Sequence, residues 1–248
     1  MWPFVVIAMV VVVLIVGAFI ADAAAKASAR DQIRSQLVSA LGLPASADVT
    51  VDVGPGSILL QALSGSLATV DVSVPELAFG ELVGSADIHA TKVPLDTSKP
   101  VGTLAVNYAV TEKNLAAIAK NLSGVDITAV TLERSEIVAA ASLTVLGATV
   151  PVSLGLTPSV SGGRLVFTPA HIRLGGQTVT AEQLTANPLF GGLARGLLKQ
   201  QSFCVAQYLP KALTATAVQI VGGSLIMSFS GDGAALGGPE FTTKGSCS

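Results

Sequence analysis

The feature that most constrains the fold of this chain is a strict alternation of apolar and polar residues that begins at Asp48. Val49, Val51 and Val53 alternate with polar residues, and the stretch Val70–Val74 repeats the pattern. A period of two predicts half-buried β-strands. Further strands are predicted over Ala86–Val93, Gly102–Val110, Val125–Leu132, Ile137–Leu146, Thr149–Thr157 and Leu165–Phe167. Along these strands one side is aliphatic and the other side is small or polar. This pattern indicates a single long antiparallel sheet that is covered on one side.

Two amphipathic helices are predicted before and within these strands. Ala23–Leu43 carries an apolar stripe that includes Leu37 and Leu41, and the Gly42 and Pro44 that follow end it. Thr111 is suited to cap the helix Glu112–Leu122, whose stripe includes Leu115 and Ile118.

A third helix is predicted to begin at Asn187-Pro188, because proline is favoured at the first helical position. It carries Phe190, Leu193 and Leu197 and continues through Cys204 to Tyr208. The predicted fold class is therefore α+β, with the first and third helices close together against the sheet.

Glycine pairs mark two hairpins of similar sequence. Gly162-Gly163 and Gly222-Gly223 each separate two β runs. A two-residue hairpin turn needs positive φ, which glycine adopts without strain. Both pairs are predicted to form tight turns.

The N-terminal segment Pro3–Ile20 is an uninterrupted apolar run of 18 residues without charge. This length is at the lower edge of a membrane-spanning helix and exceeds the apolar region of most signal peptides. Ala21-Asp22-Ala23 also offers the small residues that a signal peptidase reads. Residues 1–22 are therefore predicted to be an anchor or a cleaved signal, followed by a single exported domain over residues 23–248.

The composition narrows the functions open to that domain. A net charge of −2 without any basic block argues against a nucleic-acid partner. Half of the residues are hydrophobic while only 4% are aromatic, so the apolar content is aliphatic. Such a domain contains either a generous solid core or an apolar groove, and the residue pattern leaves both open.

The two cysteines, Cys204 and Cys247, are predicted to form a disulfide, as an even count does in an exported chain. The bond is expected to pin the C-terminal tail to the preceding helix. Lys26, Arg30 and Arg34 share one face of the first helix. That face is interpreted as solvated or, alternatively, as attracted to anionic lipid headgroups.

No constellation typical of catalysis is found. His89 and His171 are interpreted as surface residues, and Glu133 and Glu136 around Arg134 as a solvated charge cluster in a turn. Neither histidine lies at metal-ligand spacing from the cysteines. The chain is thus predicted to be no enzyme and to need neither a metal nor a cofactor.

The layout resembles the LmeA-like family of actinobacterial envelope lipid-binding proteins. The resemblance is carried by the apolar N-terminus and the following helix that ends in Leu37–Leu43, by Ile58–Gly65, by Val70–Val72, and by Cys204 with Leu209-Pro210 and the strands around Gly222-Gly223. It covers nearly the whole exported part, although each motif alone is degenerate.

The resemblance implies a tubular lipid-binding (TULIP-like) fold, in which a curved sheet wraps a long helix and leaves an apolar channel. It also implies binding of phospholipids, including phosphatidylinositol-type lipids, at the cell membrane, and a part in maturation of mannan-containing glycolipids. The expected apolar lining is Leu37, Leu41, Leu115, Ile118, Phe190, Leu193 and Leu197. Arg195 and Lys199 are the candidate headgroup contacts. The alternative is a scaffold that carries no lipid and docks on a membrane glycosyltransferase.

Overall fold

The structure is a computed structural model that describes residues 21–39, 41–79, 82–122, 127–145, 148–180, 183 and 201–247. Its first helix, α1, occupies residues 21–39 of the described chain. The remaining helices are α2 (Ile58–Ser64), α3 (Glu112–Leu122), a 3-10 turn (Ala206–Tyr208) and α4 (Pro239–Thr242). The strands are β1 (Thr50–Val53), β2 (Ser66–Phe79), β3 (Leu82–Pro94), β4 (Thr103–Thr111), β5 (Ile127–Glu133), β6 (Glu136–Val145), β7 (Ala148–Ser161), β8 (Arg164–Leu174), β9 (Gln177–Val179), β10 (Gln201–Cys204), β11 (Thr214–Val221) and β12 (Ser224–Ser230).

The strands of the described residues form two antiparallel sheets, so the predicted α+β class is confirmed whereas the predicted single sheet is wrong. The first sheet has the order β1-β2-β3-β4-β12-β11, and the second has β10-β8-β7-β6-β5 with β9 beside β8. The split follows from a long-range pairing. Strand β4 pairs with β12, from Ala105 with Ser230 to Thr111 with Ser224, and β12 pairs in turn with β11, so strands β5 to β10 form a sheet of their own.

The chain divides into two compact units. The first contains the described residues up to Val74, together with Asp87–Leu104 and Asp232–Gly238. The second contains Pro75–Ala86 and the described residues of Ala105–Gly231 and Pro239–Ser248. The predicted boundary between residues 22 and 23 stays a prediction.

In the first unit, helix α1 ends as its sequence predicts. Gly42 adopts a φ of 63°, the Leu43 amide donates to Val38 O, and the Gly42 amide donates to Ser39 O. These two hydrogen bonds, together with the left-handed conformation of Gly42, form a Schellman motif that satisfies two of the last carbonyls of the helix.

The basic face of α1 lies along the segment that leads into and out of β1, and it stays partly solvated, with 43% of the Arg30 side chain exposed. Lys26 donates to Gly54 O, Arg30 pairs with Asp52, and Arg34 donates to Ala47 O at 2.7 Å. The three side chains thereby fix α1 antiparallel to residues 45–54 within this unit.

The prediction that the third helix continues through Cys204 to Tyr208 is wrong for residues 201–208, the part of it that the structure describes. Gln201–Cys204 forms strand β10, paired with β8, and a 3-10 turn follows. Phe203 stands edge-on to Phe167, with ring centroids 5.8 Å apart. Cross-strand aromatic contact and the free edge of β8 favour the extended form here.

The predicted disulfide between Cys204 and Cys247 is present, with a Cα–Cα distance of 5.8 Å. It ties the C-terminal tail to strand β10 rather than to a helix. Within the described part of the chain, no helix has both the length and the apolar character needed to cross a membrane.

Candidate functional site

The second unit concentrates its aliphatic side chains between α3 and the strands. Val130, Ile137 and Leu225 form a buried cluster. Around it pack hydrophobic side chains that are only partly buried: Leu115, Ala116, Ile127, Leu132, Leu156, Phe167, Val218 and Ile220. Glu112 fastens α3 to this cluster by accepting the Leu132 amide at 3.0 Å. The helix is therefore held over an apolar surface that it does not cover completely.

This surface continues along strand β7 as a strip formed by Val152, Leu154 and Leu156. Leu154 lies between Ala139 of β6 and Ile172 of β8 in the register of the sheet. Val152 and Ile172 are buried, and Leu154, Leu174 and Val179 pack against them while staying partly exposed. The strip thus has a buried base and an aliphatic surface that remains partly in water.

The opposite face of β7 carries a half-buried contact between His171 and Glu136. The His171 Nδ1 atom lies 2.8 Å from Glu136 Oε2, and both groups lie over Gly155. A Cβ at position 155 would overlap the imidazole ring, so only glycine leaves room for the pair. The interpretations of His171 as a surface residue and of Glu136 as part of a solvated cluster are therefore wrong. The predicted exposure of His89 is confirmed, and its Nδ1 atom lies 2.6 Å from Asp71.

A cleft of about 310 Å³ lies beside the start of α3, and its lining includes Val83, Asn114 and Glu76. Sites for drug-sized ligands have volumes of about 300–1,000 Å³, so this cleft is at the lower end of that range. Glu76 is the one charged residue among the described residues of its lining, and its carboxylate repels an anionic headgroup. The small volume and the acidic residue give no support to this cleft as the phospholipid site.

The structure describes only some of the predicted lining. Leu115 packs against the buried cluster of the second unit. In the first unit, Leu37 is half-buried on α1 and Leu41 is 39% exposed. Helix α3 includes Ile118, whose side chain is not described, while Phe190, Leu193, Arg195, Leu197 and Lys199 lie outside the described residues. These assignments stay predictions.

The aliphatic strip of Val152, Leu154 and Leu156 on β7, with the neighbouring Leu174, was not part of the predicted lining. Their alternation along β7 and β8 was the available signal, but alternation identifies an apolar side of a strand without showing whether another element covers it.

In the described parts of the chain, no three histidine, cysteine or acidic side chains come together as metal ligands. Partly exposed aliphatic surface on an α+β scaffold is suited to contact with an apolar ligand. A family model described as LmeA-like phospholipid-binding matches residues 20–230. The chain belongs to this family, as the resemblance predicted. No curated protein and no solved structure matches it.

Proposed function

We propose that the protein holds the acyl chains of a phospholipid against its aliphatic surface and shuttles the lipid within the cell envelope. The observation that carries this proposal is the match to a phospholipid-binding family over residues 20–230. Removing acyl chains from water is favourable by about 0.8 kcal/mol per methylene group, so tail burial dominates the binding free energy.

The partly exposed aliphatic residues support the acyl-chain part of the proposal. Leu154, Leu174 and Val179 rest on buried neighbours, and Leu115 borders the cluster around Val130. A solid core would bury such residues fully, whereas a lipid-binding wall leaves them for the ligand. We propose that they line a TULIP-like groove together with Leu37, Leu41, Ile118, Phe190, Leu193 and Leu197.

The envelope location is supported by the sequence of the N-terminal run and by the disulfide. Pro3–Ile20 has the composition of an anchor or export signal. The Cys204–Cys247 bond suits an oxidising compartment. We propose that the protein works at the outer side of the cytoplasmic membrane, anchored or secreted.

The finer part of the proposal concerns the lipid and its use. We propose a phosphatidylinositol-type headgroup held by Arg195 and Lys199, because an anionic phosphate pairs with such cations. Supply of that lipid would support maturation of mannan-containing glycolipids, with envelope glycosyltransferases as partners.

The test is to purify the full chain in a mild detergent and to identify bound lipid by native mass spectrometry. A phospholipid at one copy per chain is the expected result. The delipidated protein should then take up fluorescent phospholipid from vesicles, with phosphatidylinositol competing better than phosphatidylcholine. If no phospholipid is bound or taken up, the lipid-binding proposal is overturned, and a scaffold that docks on a glycosyltransferase replaces it.

A further inference from the structure

Helix α2 of the first unit presents leucine side chains to water. Ile58 points inward and is 5% exposed, whereas Leu60 and Leu63 are 67% and 85% exposed. Leu59, at 42%, lies on the same outer side as Leu63, four positions away. Surface helices normally turn polar residues outward, so the exposed leucines of α2 depart from the usual pattern.

The surroundings of α2 extend this apolar surface. The Leu95 amide donates to Gly65 O at 3.0 Å, which brings a fourth exposed leucine to the end of the helix. No charged residue occurs between Val53 and Val70. We call Leu59, Leu60, Leu63 and Leu95 the leucine tip.

The tip lies beside the point where the N-terminal apolar run joins the domain. The Asp22 carboxylate accepts the Ser57 hydroxyl at 2.8 Å and the Leu59 amide at 3.1 Å. Ile20, the last residue of the run, is two residues from Asp22, so chain geometry keeps their Cα atoms within about 7 Å. A membrane that contains the N-terminal run would therefore also lie near the leucine tip.

We propose that the leucine tip docks into the interfacial region of the phospholipid bilayer that holds the N-terminal run. This inference rests on the membrane location in the proposed function but not on lipid binding by the aliphatic strip. An uncharged apolar helix surface buries about 5–10 Å into the boundary between headgroups and acyl chains. The run and the tip then form two adjacent attachments, which set the orientation of the first unit at the membrane.

The test uses the full chain in phosphatidylcholine–phosphatidylglycerol vesicles and reads depth from tryptophan fluorescence. Replacing the single native tryptophan (Trp2→Phe) provides a silent background. Leu63→Trp reports on the tip, and Leu60→Trp repeats the measurement at a second position. Both positions are exposed, so neither substitution disturbs the core.

Thr50→Trp is the matched control, because Thr50 is an exposed residue of β1 in the same unit. The control position is distant from the tip because α1 leads away from it. Asp22 contacts α2, whereas Arg30, about 12 Å further along α1 at 1.5 Å per residue, pairs with Asp52 of β1. In the sequence, Thr50 is two residues further than Asp52 from the α2 residues of the tip.

The expected result is a blue-shifted emission at positions 60 and 63 that loses most of its intensity with lipids brominated near the carbonyl end of the acyl chains. The control at position 50 keeps its intensity. Emission at position 63 that stays unquenched and matches the control overturns the docking proposal. Blue-shifted but unquenched emission also overturns it, because a protein segment or a second copy then covers the tip. A chain that does not float with the vesicles overturns the membrane location as well.

Discussion

At the scale of single residues, Asp22 joins the start of α1 to α2. The Leu59 amide and the Ser57 hydroxyl stabilise its carboxylate and lower its pKa below the ordinary value of 3.8. A group with a depressed folded-state pKa stabilises the fold above its unfolded-state pKa, and the contribution is lost as pH falls through the folded-state pKa. The contact should therefore persist at neutral pH and weaken below pH 3.8.

This prediction can be read from the Leu59 amide proton by NMR. In the wild-type protein its chemical shift should titrate with a midpoint below 3.8, and Asp22→Asn should abolish the titration. Asp96 provides a second case, since the Ser98 hydroxyl and amide lower its pKa in the same way. A Leu59 midpoint at or above 3.8 would show that the carboxylate is not held by α2.

Gly155 should tolerate no side chain because of the His171–Glu136 pair. Gly155→Ala places a Cβ against the imidazole, and overpacking of this kind costs about 1–3 kcal/mol of unfolding free energy. The cost should fall in a His171→Ala background, where the ring is gone. Denaturant unfolding of the four proteins of this cycle measures the coupling. Equal costs in both backgrounds would contradict the assigned contact.

At the scale of elements, the sequence predicts well what local chemistry decides. Helix α3 has the predicted bounds Glu112–Leu122. Both glycine pairs form their turns, with φ of 55° and 73° at Gly162 and Gly163, and 58° and 74° at Gly222 and Gly223. Each depends on a few adjacent residues, so a single sequence is enough to predict it.

Elements set by distant partners were mispredicted or overlooked. Strand β10 is extended because β8 pairs with it, and that partner is not visible in the local sequence. The pairing of β4 with β12, across which Ser228 donates to Asn107, separates the two sheets. Helix α2 was not predicted as a helix, because its 7 residues are fewer than the roughly 11–18 over which helical periodicity is recognised.

The disulfide should be a large local contribution to stability. It closes a loop with a sequence separation of 43 residues, for which the chain-entropy relation gives about 4 kcal/mol. The double variant Cys204→Ser/Cys247→Ser should lose roughly that much unfolding free energy in denaturant titrations. Reduction of the wild-type protein should have the same effect, and it should leave the double variant unchanged. A loss below about 1 kcal/mol would contradict the relation for this loop.

At the scale of the whole molecule, the candidate site was less predictable than the fold class. Aliphatic composition indicated a core or a groove without deciding between them, because burial depends on which elements cover each strand. Leu115 is the predicted lining residue that the described structure packs beside the buried cluster. Glu136 and His171 are far apart in sequence, so nothing local indicated their pairing across Gly155.

Lipid retention should be lost when a charge is placed in the aliphatic surface, and it should be kept when the same charge is placed on the exposed side of α3. Leu115→Asp places a charge against the cluster and should abolish co-purification of phospholipid. Ala117→Asp, on the exposed side of the same helix, should retain it. Native mass spectrometry measures bound lipid, and circular dichroism confirms the fold. Leu193→Asp and Leu197→Asp should also lose lipid. Retention by Leu115→Asp at wild-type level would remove α3 from the proposed lining.

The disulfide also changes what a protease can do to this chain. Strands β11 and β12 lie between Cys204 and Cys247, and the exposed Lys211 precedes them. A cut after Lys211 therefore yields two fragments that stay covalently joined, visible as one band without reductant and two with it. In a compartment that contains proteases, the cleaved protein would keep β11 and β12 covalently attached, so that β12 can pair with β4 again. A cut at this exposed position thus opens the sheet without releasing two of its strands.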